Sequence, residues 1–247
     1  MKRFKMSTRT AAFLMIITSA ILYGLDYFFV GQFRPIVEGL LGNLAFLPVY
    51  VLFVTLMIER VIRERERLAL RQKLNMVIGV FFSEVGSELM RNLTDFLHDS
   101  EELERRLKVR PQWGEKDFLD AAAFIAKYDI KFDSRMGDLG YLRVFLLGKR
   151  EFMLRLLENP NLLEHDEFTD LVWAVFHMVD ELASRQQLGE LPQSDLEHLA
   201  GDMKRAFGHL LREWIYYMKH LKEDYPYLFS LAVRMNPLDP EARAEIY

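Results

Sequence analysis

Acidic and imidazole side chains recur at helical spacing in this 247-residue chain, and together they could hold a metal ion. The motifs His177-x-x-x-Glu181 and His209-x-x-x-Glu213 each place one nitrogen donor and one oxygen donor on the same helix face. Carboxylate and histidine side chains supply the metal ligands of some enzymes that are built on helical bundles. A carboxylate–histidine metal enzyme is therefore one function class that the chain permits.

Two further motifs, Asp95-x-x-His98 and Asp195-x-x-His198, have the three-residue spacing of the Glu-x-x-His motifs in di-iron bundles. No true Glu-x-x-His occurs, and both aspartates lie near predicted helix ends, where Asp commonly caps a helix. The helical period also places His177 opposite the core positions of its helix, whereas bundle ligands project inward. The prediction is that there is no metal site, no catalytic residue and no cofactor.

The same helical period predicts a polar face that could bind a protein partner, because tyrosine and histidine suit contact surfaces. Trp173, which lies off the core stripe of its own helix, could anchor a partner or pack beneath a loop. The candidate residues for this partner face are His209, Glu213, Tyr216, Tyr217, His220 and Trp173.

Most other chemistry is excluded by motif. The chain has no phosphate-binding loop, no dinucleotide fingerprint, no His-Glu-x-x-His and no Gly-x-Ser-x-Gly. With no cysteine it has no disulfide, no thiolate metal site and no cysteine nucleophile. Enzymatic activity stays open, and a non-enzymatic protein is favoured.

Two apolar stretches near the start of the chain predict a transmembrane hairpin. Residues 11–30 contain one charge and residues 40–58 contain none, and each is about the 20 residues that a membrane-spanning helix needs. Basic residues in 1–10 and after the second span predict that both termini face the cytoplasm. Cleavage of the first span as a signal peptide is the alternative.

The single charge in the first span, Asp26, is a candidate intramembrane polar site. It could serve an ion relay, which makes a subunit of an ion-conducting or transport assembly a third function class. An ion pair with Arg34 near the membrane surface is the simpler interpretation.

The charge of the chain is unevenly distributed. Residues 1–73 hold 11 Lys and Arg against 5 Asp and Glu, whereas residues 74–247 hold 21 against 31. A basic region beside a membrane attracts anionic lipid headgroups. The predicted partners are the lipid bilayer, a protein partner or further copies of the chain, and lipid headgroups at Arg60, Arg63, Arg65, Arg67 and Arg71. The acidic remainder argues against nucleic acid.

The rest of the chain shows the helical period without sustained strand-like alternation. Residues 59–73 form a predicted charged helix, and residues 74–247 a cytoplasmic helical domain. Ser194 and Glu197 match a capping box at the start of the longest helix. The expected fold class is all-α, with a two-helix transmembrane hairpin followed by a cytoplasmic helical bundle.

The segments 73–86 (KLNMVIGVFFSEVG) and 216–229 (YYMKHLKEDYPYLF) resemble a group of uncharacterised bacterial membrane proteins with two amino-terminal spans. The resemblance implies the two-span, helical-domain layout and no activity, ligand or site. Together these features predict a multi-pass protein of the bacterial inner membrane whose helical domain acts as an interaction or assembly module.

Overall fold

A computed structural model describes residues 17, 20–22, 24, 25, 27, 28, 33–160, 162 and 165–245. The predicted all-α fold is confirmed, since these residues form helices and no strand. One π-helical turn, Phe82–Gly86, separates the first two helices. The helices named here are α1 (Phe33–Phe81), α2 (Ser87–Thr94), α3 (Glu101–Leu107), α4 (Glu115–Lys127), α5 (Leu139–Leu157), α6 (Asp166–Ser184), α7 (Gln193–Asp224) and α8 (Pro226–Arg234).

The chain divides into two compact units, Met1–Arg67 and Leu68–Tyr247. In the second unit α7, with 32 residues, is the central helix, because α2, α4, α6 and α8 all pack against it. Helix α5 packs in turn against α6. The second unit is thus a bundle arranged around one long helix, and residues on several faces of α7 are buried.

The bundle core begins in the last turns of α1 and continues through the π-helical turn. Apolar residues at helical spacing are buried there, with Phe81, Val85 and Leu89 each at 0% exposure. Phe82 is also buried, at 1% exposure, because the wider turn brings two consecutive phenylalanines inward. Phe82 stacks on Tyr217 at 5.2 Å between ring centroids.

Gly86 ends the π-helical turn where there is no room for a side chain. A Cβ atom at this position would lie 2.6 Å from Cδ1 of Phe82 and 2.9 Å from Cε1 of Phe81. Both rings are fully buried and cannot move without disturbing the core. We therefore expect Gly86→Ala to lower the free energy of unfolding by about 1–3 kcal/mol, as overpacking does.

Urea denaturation of the two variants Gly86→Ala and Gly148→Ala measures this effect. Gly148 lies inside α5, and a Cβ atom added there would meet no other atom within 4 Å. Alanine at that position should therefore stabilise the helix by up to about 1 kcal/mol. Equal effects of the two substitutions would contradict the packing described around Phe81 and Phe82.

The predicted transmembrane hairpin is not supported. Most of its first span, residues 11–30, lies outside the described residues. Within the part of the chain that the structure describes, no helix has both the length and the apolar content to cross a bilayer. Residues 40–58 lie within α1, which begins at Phe33 and continues through the charged segment 59–73. The predicted multi-pass inner-membrane localisation is contradicted with it.

The sequence predicted an intramembrane polar site at Asp26 and lipid contacts at the arginines of α1. Asp26 lies outside the described residues. Lipid headgroup contacts were predicted for the arginines of α1 because the membrane spans were expected to hold these residues at a bilayer surface. In the structure these side chains are exposed, and Arg63 forms an ion pair with Glu59 at 3.0 Å.

The predicted capping box of the longest helix is not formed. Helix α7 begins at Gln193, after Pro192, and no side chain caps its first turn. Glu197 instead accepts a hydrogen bond from the side chain of Gln193 at 2.8 Å. The side chain of Asp195, between them, is bound by Arg185 at the end of α6.

Candidate metal centre

Helices α6 and α7 are joined by the short connection 185–192 and pack along each other. So short a connection makes neighbouring helices antiparallel. His177 and Glu181 lie one turn apart on α6, and His198 and Asp202 lie one turn apart on α7. In an antiparallel pair, residues equally far from the connection meet, so Glu181 faces His198 and His177 faces Asp202.

The four side chains converge on one point. The Nε2 atom of His177 lies 3.5 Å from Oδ2 of Asp202 and 3.6 Å from Oε1 of Glu181. The Nε2 atom of His198 lies 3.3 Å from the same Oδ2 and 3.6 Å from Oε2 of Glu181. One donor atom from each residue lies within 4.8 Å of the other three. Two imidazoles and two carboxylates thus surround a space of atomic size.

These distances match a four-coordinate metal ion. Zinc binds histidine nitrogen at about 2.0–2.1 Å and carboxylate oxygen at about 2.0–2.2 Å, so neighbouring donors of a tetrahedral site lie about 3.3–3.5 Å apart. The four contacts between imidazole nitrogens and carboxylate oxygens are 3.3–3.6 Å. Because two of these contacts use different oxygens of Glu181, three of the four belong to any one set of donor atoms, and one donor atom from each residue lies within 4.8 Å of the others.

Asp202 is the innermost donor. Its side chain is 2% exposed, and its Oδ2 atom accepts no hydrogen bond from the residues that the structure describes. A buried carboxylate oxygen without a hydrogen bond is costly, because it loses the water that would otherwise solvate it. The two histidine side chains are about half exposed, so an ion has a path to the site from solvent.

Glu181 is held in place by Arg185. Arg185 donates from Nη1 to Oε2 of Glu181 at 2.6 Å, and this hydrogen bond lowers the pKa of Glu181. The same guanidinium binds both carboxylate oxygens of Asp195 at 2.6 and 2.8 Å and lowers the pKa of Asp195. Glu181 is thus ionised at neutral pH, as a metal ligand must be.

The sequence motifs anticipated three of the four donors but not their grouping. The His177–Glu181 pair is in the centre, whereas His198 acts with Asp202 rather than with Asp195. Asp202 was missed, although the His198-x-x-x-Asp202 spacing repeats the His177-x-x-x-Glu181 spacing on the other side of the connection. That repeat, on two helices joined by a short connection, is the signal that would have identified the site.

His177 was predicted to lie away from any site because its helix was considered alone. His177 does lie outside the core, at 45% exposure, but on the edge of α6 that borders α7. Donors on facing edges of two helices can meet at the surface without entering the core. The motifs Asp95-x-x-His98 and His209-x-x-x-Glu213 contribute no residue to the cluster.

The residues of the predicted partner face occupy different environments. Trp173 is 54% exposed and Tyr216 is 52% exposed. Glu213 is buried at 2%, contrary to its predicted surface position, and burial raises its pKa to about 7. Burial lowers the pKa of His209 and raises that of Tyr217. Only part of the predicted face is therefore available to a partner.

His220, the last residue of that predicted face, is 17% exposed at its side chain. Its Nδ1 atom lies 3.1 Å from Nδ2 of Asn75 and 2.9 Å from Oδ2 of Asp224. The imidazole therefore bridges α1 and α7 within the second unit, and its ring nitrogen already has partners there.

The fold and the site define a helical protein that carries a candidate centre of two histidines and two carboxylates. Residues 70–234 match the family described as "Uncharacterized protein MJ1433, C-terminal helical domain", and residues 2–62 match "MJ1433, N-terminal helical domain". The first match covers more than half of the chain. The chain belongs to the MJ1433 family.

Uncharacterized protein MJ1433 of Methanocaldococcus jannaschii is 40% identical to this chain over 228 residues, which is 92% of each protein. This relative is archaeal, so the resemblance to an uncharacterised family is confirmed, but its attribution to bacterial membrane proteins is not. No solved structure matches the chain.

Proposed function

We propose that this protein binds one divalent metal ion between α6 and α7, and that the ion joins the two helices. The observation that supports this proposal most strongly is the convergence of His177, Glu181 and His198 on the buried, unpartnered Oδ2 atom of Asp202. Two negative charges and two neutral imidazoles balance the charge of a divalent cation.

Zinc is the ion that fits best. It has no geometric preference from d-electrons and accepts four-coordinate sites of mixed nitrogen and oxygen donors. Magnesium and calcium prefer six or more oxygen ligands, which two imidazoles cannot supply. The short contacts between nitrogen and oxygen donors favour the compact tetrahedral arrangement.

A linking role is favoured over catalysis, which agrees with the non-enzymatic function favoured by the sequence. Catalytic zinc sites use three protein ligands and keep one position for water or substrate, whereas four donors fill a tetrahedral site. A large open cleft of about 1010 Å³ lies elsewhere in the second unit, beside Asp95, Arg135 and Leu196, and none of the four donors lines it.

Zinc titration of chelator-treated full-length protein tests the proposal. We expect one equivalent of zinc per chain, and at a thousandfold excess over Kd the free energy of unfolding should rise by about 4 kcal/mol. The double variant His177→Ala/His198→Ala should lose both effects. His209→Ala, on α7 outside the cluster, should retain them.

The proposal fails if the double variant binds zinc with the same stoichiometry and affinity as the natural chain. It also fails if saturating zinc leaves the unfolding of the natural chain unchanged.

We also propose that the protein binds a protein partner or a second copy of itself, as its sequence predicts. The exposure of two large aromatic side chains, Trp173 on α6 and Tyr216 on α7, supports this role, because aromatic residues are enriched in interfaces. Sedimentation and crosslinking of the natural chain and of Trp173→Ala test it. A natural chain that stays monomeric and crosslinks to nothing would contradict it.

A further inference from the structure

Building on the proposed metal centre, we propose that Arg185 determines its metal specificity. Arg185 positions Glu181 so that a single carboxylate oxygen faces the ion. One oxygen from Glu181 keeps the coordination number at four, which favours zinc over ions that take more oxygen ligands, such as manganese.

Arg185 is anchored on both helices of the site. Its Nη1 atom donates to the carboxylate of Glu181 and to the backbone oxygen of the same residue, each at 2.6 Å. Its Nε and Nη2 atoms donate to the two oxygens of Asp195 at 2.8 and 2.6 Å. The side chain is only 14% exposed. The guanidinium is therefore fixed in orientation by the end of α6 and the first turn of α7.

This anchoring leaves the two oxygens of Glu181 unequal. Each oxygen lies 3.6 Å from a histidine nitrogen, Oε1 from Nε2 of His177 and Oε2 from Nε2 of His198, but Oε2 also accepts the short hydrogen bond from Arg185. An ion that chelated both oxygens would compete with a charge-assisted hydrogen bond of 2.6 Å. Glu181 is thus restricted to one ligand atom, and the set of four donors stays tetrahedral. Residues that orient metal ligands in this way are known to tune affinity by about 10–100-fold.

Charge alone predicts the opposite effect on metal affinity when Arg185 is removed, and a second arginine beside the site serves as a control. Arg205 also places a positive charge beside the site, with Nη1 at 3.2 Å from Oδ1 of Asp202, and its side chain is 59% exposed. A positive charge near a cation site weakens cation binding. If charge alone mattered, removing either arginine would strengthen metal binding. If positioning matters, removing Arg185 weakens zinc binding and removing Arg205 does not.

The test compares Arg185→Met, Arg185→Lys and the control Arg205→Met in the full-length protein. Zinc and manganese affinities are measured by competition with a chromophoric chelator. The visible spectrum of the cobalt(II)-saturated protein reports coordination number, because tetrahedral cobalt(II) absorbs much more strongly than five- or six-coordinate cobalt(II). Unfolding curves of the metal-free variants confirm that each is folded.

We expect Arg185→Met to weaken zinc binding about 10–100-fold and to reduce the ratio of zinc to manganese affinity about tenfold. Its cobalt(II) spectrum should become weaker. Arg185→Lys should resemble Arg185→Met, because an ammonium keeps the charge but cannot bind Asp195 and Glu181 in a fixed fork. Arg205→Met should keep the natural spectrum and bind zinc at least as tightly as the natural chain.

A natural cobalt(II) spectrum and a natural metal ratio in Arg185→Met would overturn the inference, even if that variant were less stable. If the natural chain itself bound neither zinc nor cobalt(II), the proposed metal centre would fail instead. The two failures are therefore distinguishable.

Discussion

Asp202→Asn should bind zinc about a hundredfold more weakly than the natural chain while unfolding at the same or a higher temperature in the absence of metal. Structural zinc contributes about 10–16 kcal/mol over four ligands, so one ligand accounts for about 3 kcal/mol, or about two orders of magnitude in affinity. The gain in metal-free stability follows because the substitution removes a carboxylate that is buried with an unpartnered oxygen.

Thermal unfolding with and without zinc measures both halves of this prediction in one experiment. Asp180→Asn is the matched control, because Asp180 lies on α6 outside the cluster and is half exposed. That control should show the natural zinc response. If Asp202→Asn unfolded much earlier than the natural chain without metal, Asp202 would have a structural role and its assignment as a ligand would lose support.

Glu213→Gln should remove about 3 kcal/mol of the change in the free energy of unfolding that the natural chain shows with pH. Burial, reinforced by the charge of Glu167, raises the pKa of Glu213 from 4.5 to about 7, while Arg212 acts in the opposite direction. In the unfolded chain the carboxyl keeps its ordinary pKa. Each unit of difference corresponds to about 1.4 kcal/mol.

The direction of the effect follows from proton binding. Between pH 4.5 and 7 the folded chain keeps the Glu213 proton that the unfolded chain has released, so the folded state binds more protons and its stability falls as the pH rises. The stabilising contribution is complete below pH 4.5 and is lost as the pH rises through about 7. A glutamine cannot titrate and should lack this loss.

Urea denaturation at a series of pH values from about 4.5 to 8 measures the difference between the natural chain and Glu213→Gln. Using the difference removes the contributions of the other titrating groups. Glu223→Gln, on the exposed side of the same helix, should follow the natural curve. A Glu213→Gln curve parallel to that of the natural chain would contradict the buried position of this carboxyl.

The helical bundle was predictable because each helix has its own periodic spacing of apolar residues and ends at its own helix-breaking residues. The apolar period and the Asn159-Pro160 break alone indicate a helix over about 141–158 and another over about 167–185, and the structure has Leu139–Leu157 and Asp166–Ser184. The π-helical turn at Phe82–Gly86 was not predictable, because it depends on how Phe81 and Phe82 pack against residues distant in sequence.

The candidate site was only partly predictable, because it depends on the register between two helices. A helical wheel describes one helix and correctly places His177 outside the core. It does not show that the same edge of α6 meets His198 and Asp202 of α7. Glu213 was placed on the surface for a related reason. Its helix is packed by neighbours on several sides, so one apolar stripe underestimates what is buried.

X-ray diffraction from zinc-soaked crystals of the full-length chain, recorded at the zinc absorption edge, tests the central claim most directly. We predict one anomalous peak within about 2.0–2.2 Å of Nε2 of His177, Nε2 of His198, Oδ2 of Asp202 and one oxygen of Glu181. A protein that crystallises with no anomalous peak between α6 and α7, at saturating zinc, would contradict the account.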